Sequence, residues 1–308
     1  TDYTQMTLFT VEGLIRAHVR KDTGAWHPPT DVHRAYLRWA ATQNDWGPDE
    51  RKADSGWLAR EEWLYARRAP GNTCLSGLAD ERMGTLDNPK NPGSKGCGAV
   101  MRSAPFGLLV GWDPQLVFQL AIECAVQTHG HPTGYLAAGA FAVIVHAVAQ
   151  GIPLDQAVQR ALAMLAGHKG HQETTGALQA ALGAVQQGMP SPERVESLGS
   201  GWTAEEALAI GVYCALAAQD VRHGLLLAVN HSGDSDSTGS ICGNILGALH
   251  GETALPPGWL AEIEGRGTIL QLADDFAMEM TQGAALHGPA LQAAGMDGSP
   301  WLVRYPQV

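Results

Sequence analysis

The residues best equipped for chemistry lie in one short run, Asn230-His231-Ser232-Gly233-Asp234-Ser235-Asp236-Ser237-Thr238-Gly239. Two carboxylates sit two residues apart, with hydroxyls beside them, just before an apolar helical stretch. Hard divalent cations bind several oxygens at once. Asp234, Asp236 and Ser237 can offer three from a single turn. An Asp/Ser-rich N-cap needs only one of these side chains, so this run alone reads equally well as a cap. The helix that follows repeats Gly239, Gly243, Gly247 and Gly251 at every fourth position. Each interior glycine costs a helix about 1 kcal/mol against alanine, which predicts that another backbone approaches this face.

Three further segments offer complementary chemistry. Thr1-Asp2-Tyr3-Thr4 places a hydroxyl and a carboxylate at the mouth of a helix, where a plain N-terminal cap is an equal explanation. Asn91-Pro92-Gly93-Ser94-Lys95-Gly96-Cys97-Gly98 leads into Ala99-Val100-Met101-Arg102. Its small residues expose backbone N–H groups and Lys95 adds positive charge, a composition suited to cradling a diphosphate. The GxxxxGK[ST] order of a Walker A loop is missing, and an ordinary turn also fits. Thr128-His129-Gly130-His131-Pro132 separates two helices. No cysteine lies at zinc spacing from these histidines, and histidines at helix ends are commonly structural. His168 and His171 read as a solvated loop.

The elements that must position these groups are helical. Thr4 to Arg20 carries Met6, Leu8, Phe9, Val11, Leu14 and Ile15 near a 3.6-residue period. Helices are predicted over 31–42 and 55–67, the latter capped by Ser55 or Asp54. Asp113-Pro114 opens another to about 127. Residues 133–149 are apolar on most sides and predict a central helix. More follow at 153–166, 172–187, 203–219, 221–230, 236–250 and 266–282. Residues 68–108 are rich in Gly and Pro, and a long irregular stretch of this kind is often functional. Strand signals are nearly absent, so the reading is one all-α domain without a clear linker or repeat.

Composition narrows the function classes. The 308 residues are 45% hydrophobic and 17% charged, enough for a large core. Twenty basic against 31 acidic residues leave a net charge of −11, which argues against non-specific nucleic-acid binding. No apolar run approaches the ~20 residues of a membrane span. Cys74, Cys97, Cys124, Cys214 and Cys242 lack paired short spacings, which predicts reduced, mostly buried thiols and a cytoplasmic location.

Together the four segments resemble the ADP-ribosylglycohydrolase family. That family has a T/S-D-D-T-x-M helix start, a Gly-rich loop leading to M-R-x-A-P, a T-H pair and G-D-T-D-T. This chain has TDYTQM at 1–6, SKGCGAVMRSAP at 94–105, TH at 128–129 and GDSDST at 233–238. The resemblance spans residues 1–251. It implies a compact, single-domain orthogonal helical bundle over 1–308 holding two Mg²⁺ ions, with Mn²⁺ as a substitute. It places Thr1, Asp2, Asp234, Asp236 and Ser237 on metal-ligand positions, with Asp2, Asp234 and Asp236 catalytic. Ser94, Lys95, Gly96, Cys97 and Gly98 would hold the diphosphate, and His129 would line the same cleft. The implied reaction is Mg²⁺-dependent hydrolysis between ADP-ribose and an acceptor on a protein or small molecule, with arginine favoured. Two departures stand out. Tyr3 occupies the place of a family Asp, which predicts a weakened second ion and impaired turnover. The family's helix before TDDT, with its G-D-A-x-G, would precede Thr1.

Two readings compete with turnover on this fold. The first is a catalytically disabled ADP-ribose-binding or structural relative. The second is an all-α isoprenoid-type synthase, suggested by Asp274-Asp275-x-x-x-Glu279, for which an exposed helix face is the plain explanation. A toxin-immunity protein is a third possibility, but the sequence shows no extension for it. Trp26, Trp46, Trp57 and Trp63 read as stacking surfaces for an acceptor or adenine, or more plainly as packing.

Overall fold

The computed structural model describes residues 1–24, 26–49, 56–287 and 300–307. Among these the protein is all-α. In chain order the helices are α1 (Asp2–Arg20), α2 (Pro28–Asn44), α3 (Asn72–Gly77), α4 (Ala104–Gly107) and α5 (Pro114–Ala125). Then come α6 (Pro132–Ala149), α7 (Leu154–Leu165), α8 (Gln172–Val185), α9 (Pro192–Glu196) and α10 (Ala204–Ala217). The last are α11 (Val221–Val229), α12 (Ser235–His250), α13 (Pro257–Ala261), α14 (Arg266–His287) and α15 (Pro300–Arg304). The residues fall into two compact units. One holds Thr1, Tyr3 and Gly71–Glu262; the other holds Asp2, Thr4–Pro70 and Ile263–Val308.

In the first unit α6 is the axis. Pro132 at its first turn is preorganised for a helix start, and His131 accepts the Thr133 N–H at 3.2 Å as the cap. Its small and branched side chains are buried on nearly every side. By length and composition α6 could cross a membrane, but 83% of it is buried inside the protein, as a core helix would be. α5, α7 and α10 pack around it, so Phe118, Ile122, Phe141, Ile144, Val158 and Ile210 share one core. α10 lies between α8 and α12. Gly211 makes that crossing possible, since a Cβ there would run into Ile241 of α12.

The glycine face of α12 is less continuous than expected. A Cβ at Gly239 would meet Val229 at 2.7 Å and one at Gly243 would meet Leu225 at 3.4 Å, both side chains of α11. Gly247 faces open space, and Gly251 ends the helix at φ 75°. Close packing against α11 therefore explains the first half of the repeat only.

In the second unit α1 and α2 carry buried ion pairs, Arg38 Nη2 to Glu12 at 2.9 Å and Arg20 Nη1 to Asp31 at 2.5 Å. The helix expected over 55–67 is instead two short 3₁₀ turns, Leu58–Arg60 and Glu62–Tyr65. Its proposed caps, Asp54 and Ser55, lie outside the described residues. Glu61 between the turns is extended, at φ −76° and ψ 103°. Its carboxylate accepts from Thr268 at 2.7 Å and Trp63 at 3.3 Å, so contacts with α14 replace helix continuation. Of the tryptophans expected here as packing, Trp46 is wholly exposed. The five cysteines are free and buried, in line with the expectation.

Phe141 has no exposed surface. Phe141→Ala should therefore cost about 3–5 kcal/mol, read as a lower urea midpoint with an unchanged slope.

Candidate functional site

The site grows from the start of α12. Gly233 leads into the turn because a Cβ there would fall on the Ser200 carbonyl. The Asp234 N–H donates to that same carbonyl at 2.7 Å. His231 braces the turn from the other side. Its Nδ1 accepts the Gly233 N–H at 3.1 Å, and its Nε2 lies 2.9 Å from Thr238 Oγ1 and 3.1 Å from the Ala228 carbonyl. The Asp234 carboxylate is thereby fixed in place and buried, with 4% of the residue exposed.

A buried carboxylate needs donors or a cation. Asp234 Oδ2 receives Ser237 Oγ–H at 2.7 Å and the Cys97 thiol at 3.0 Å. Burial and Asp234 push the Cys97 thiol far above its ordinary value, so it stays protonated and donates. The Tyr3 hydroxyl bonds Ser237, and burial, then Cys97, hold its proton in the same way. Asp236 lies at the rim. Partial burial of its carboxyl, with Asp234 alongside, raises it to about 6. These carboxylates lack an adjacent protein cation among the described residues: Lys95 goes to Glu173 and Glu205, and Arg102 Nη2 goes to Thr128 Oγ1 at 2.6 Å.

The Gly-rich loop supplies the second half. Its Cys97 N–H donates to the Trp202 carbonyl at 3.3 Å and its Ser94 N–H to the Asn91 carbonyl at 2.9 Å. Among the described residues the N–H groups of Lys95, Gly96 and Gly98 have no protein acceptor. Free N–H groups on neighbouring loop residues are available donors for an anion. His129 lies behind the loop. A Cβ at Gly98 would lie 2.9 Å from His129 Cε1 and 3.0 Å from Cys74 Sγ, so position 98 needs glycine for the loop to lie on the ring, whereas a Cβ at Gly96 would only touch it, at 3.6 Å from Nε2.

His129 is held by its neighbour. Thr128 Oγ1 accepts from Arg102 Nη2 at 2.6 Å, donates to the Ala125 carbonyl at 3.4 Å and lies 2.8 Å from His129 Nδ1. Burial, then Arg102, lower His129 to about 3, so the ring is neutral near pH 7.

Most of the expected site residues come together here: Ser94, Lys95, Gly96, Cys97, Gly98, His129, Asp234, Asp236 and Ser237 all belong to the first unit. Thr1 belongs to it too and is exposed. Asp2 is buried and belongs to the second unit, where its N–H donates to the Arg68 carbonyl at 3.1 Å. Lys95 differs most from its expected use. Its ammonium lies 3.0 Å from both oxygens of Glu173 and 3.4 Å from Glu205, and those bonds, Glu173 first, hold it above its ordinary value.

Sequence reasoning missed Arg102, Thr128, His231 and Glu206 as supports; Arg102 reaches Thr128 across 26 residues, while His231 and Glu206 act within seven residues of their own positions. It also misplaced Asp275. Far from an exposed face, Asp275 is 1% exposed and accepts from Tyr305 at 2.6 Å and Arg304 at 2.8 Å. Glu279 is fully buried among His18, His287 and Trp301. Both carboxylates are used inside the second unit, which removes the basis of the synthase reading.

A family model described as ADP-ribosylglycohydrolase matches residues 1–285. The chain belongs to that family. Among similar proteins, ADP-ribosyl-[dinitrogen reductase] glycohydrolase of Rhodospirillum rubrum is 25% identical over 205 residues, covering 66% of this chain and 63% of its own. ADP-ribosylhydrolase ARH3 of Mus musculus is 27% identical, covering 56% of this chain and 54% of its own. An uncharacterized protein of Archaeoglobus fulgidus is 30% identical over 177 residues, covering 58% of this chain and 56% of its own. The matches thus span between about half and two thirds of these relatives. A solved structure titled "ADP-ribosylglycohydrolase-related protein complex" has a TM-score of 0.62 at 24% identity, covering 90% of this chain and 80% of its own. It supports the family's all-α fold.

The Asp236 shift has a definite sign. A carboxyl raised in the folded state holds its proton more tightly there, so its contribution to stability falls as pH rises from about 4 to 6. A divalent ion must displace that proton. Mn²⁺ affinity, followed by electron paramagnetic resonance, should rise with pH through about 6 and level off above it. In Asp236→Asn that step should vanish.

Proposed function

We propose that this chain is a hydrolase that uses a divalent ion to release ADP-ribose from a modified acceptor, with arginine the favoured acceptor and Mg²⁺ the favoured ion. One observation carries the reading: a pair of carboxylates with no protein cation of its own stands beside a loop with unpartnered N–H groups. The donor set fits the ion. Asp234, Asp236 and Ser237 are hard oxygen donors, and burial, then the neighbouring Asp234, raise the Asp236 carboxyl. Among the described residues no group of three His, Cys, Asp or Glu side chains is arranged to hold a metal, so the reading counts on hydroxyl and substrate oxygens to complete the set.

The residues divide the work by charge. The N–H groups of Lys95, Gly96 and Gly98 bind the diphosphate, with the His129 ring behind the loop. Because His129 is neutral across the working range, it adds no charge there that varies with pH. An ion held by Asp234, Asp236 and Ser237 would neutralise the carboxylates and polarise the ribose hydroxyls. Asp234, locked by Cys97 and Ser237, presents charge toward the positive character that develops at the anomeric carbon. Asp236, exposed at the rim of the site, is placed to take the proton of the attacking water. The leaving acceptor recovers its free side chain.

Tyr3 favours a second reading on the same site. Its phenol sits on Ser237, where the family motif has a carboxylate, and it brings no negative charge. On this reading the chain binds ADP-ribose and does not turn over.

Release of ADP-ribose from arginine- and serine-modified peptides, in Mg²⁺ and in EDTA, separates the two. Hydrolysis predicts metal-dependent release that Asp234→Asn lowers by about 10²–10⁴-fold and that Tyr3→Asp raises. Equal release in EDTA would sink the ion-dependent mechanism. ADP-ribose binding without release in the parent, with release restored in Tyr3→Asp, would establish the second reading.

A further inference from the structure

One short segment joins the two halves of the site through main-chain bonds. The Ala204 N–H donates to the Lys95 carbonyl at 2.9 Å, and the Trp202 carbonyl accepts from Cys97 at 3.3 Å. The Ser200 carbonyl accepts from Asp234 at 2.7 Å. Residues 200–204 therefore hold the Gly-rich loop on one side and the Asp234 turn on the other. Neither partner is close in sequence.

Glu206, in the first turn of α10, fixes that segment. Its Oε2 accepts from the Ser200 N–H at 3.0 Å, the Gly201 N–H at 3.1 Å and Ser200 Oγ at 3.3 Å. The chain winds around this carboxylate. Gly199 and Gly201 adopt φ 125° and 80°, the left-handed region that glycine tolerates. A Cβ at Gly199 would overlap the Glu206 side chain. On the far side, Gly233 lies against the Ser200 carbonyl so closely that a Cβ has no room. Glu206 thus sets where Ser200 is, and Ser200 sets where Asp234 is.

We propose that Glu206 is a positioning residue for the Asp234 turn, acting through the Ser200 carbonyl. It touches no reacting atom. Losing its charge-assisted bonds frees residues 199–201, and with them the Asp234 backbone. The consequence for ion binding rests on the functional reading above; the mechanical link does not.

The test measures both. Amide hydrogen exchange is followed at Asp234 in the metal-free protein, and Mn²⁺ affinity is followed by paramagnetic resonance. In Glu206→Ala, exchange at Asp234 should quicken by about tenfold or more, and Mn²⁺ should bind about 10–100-fold more weakly. Glu206→Gln should move both in the same direction by less. Asp220→Ala is the control. It removes the α11 cap, where Asp220 Oδ1 accepts the His223 N–H at 2.7 Å, and should lower the melting temperature while leaving both readouts unchanged. Unchanged exchange at Asp234 in Glu206→Ala and Glu206→Gln overturns the proposal. If the parent takes up no Mn²⁺, the reading of the turn as a cation site fails, and exchange alone still decides the role of Glu206.

Discussion

The burial of the Asp234 carboxylate is the constraint on which the site depends. A charge this far from water must be met on every side. One oxygen is met by the Ser237 hydroxyl and the Cys97 thiol, and the backbone N–H is met by Ser200. Each of those partners has its own demands. Cys97 brings the Gly-rich loop into place, and that loop in turn must lie flat on His129. Ser200 brings the segment before α10 into place, and α10 runs through the core between α8 and α12. The geometry at one carboxylate is therefore continuous with the packing of Tyr213, Ile210 and Ile241.

The distribution of positive charge follows from the same economy. Lys95 lies in the loop where a diphosphate would be expected to find it, yet two carboxylates claim its ammonium. Glu173 also takes the Thr133 hydroxyl at 2.5 Å, and Thr133 with Lys95 lowers its carboxyl below the ordinary value. Glu173, Glu205 and Thr133 stand in the first turns of α8, α10 and α6. Three helix starts meet around one lysine, and the carboxylates there suit the positive ends of the helices. On the proposed reading, anion binding is thus left to backbone N–H groups.

Much of this was legible in the sequence, for reasons that can be named. The Asp234/Asp236/Ser237 turn is local, so residue type and spacing carry its chemistry. α1 and α5 show their period because each buries a face, while α6 and α10 read as core helices because nearly all of their surface is buried. What escaped depends on distant chain. Glu61 and Trp63 leave a helical pattern for contacts with α14. Asp275 looks like surface until Tyr305 and Arg304 arrive from 30 and 29 residues away. The bond from Arg102 to Thr128, which steadies His129, joins residues that no spacing rule links. The glycines of α12 pointed to close packing, but only two of them meet a neighbour.

The joints at residues 200–204 are made by peptide groups rather than side chains. A carbonyl or an N–H is the same in nearly every amino acid. Positions 202 and 204 can therefore drift in identity while the bonds they make persist. The exceptions are imposed by the donors: proline at 97, 204 or 234 would delete an N–H that the joint requires. Such a site is specified as a backbone shape: the bonds at positions 202 and 204 do not depend on side-chain identity, while position 201, at φ 80°, is held to glycine.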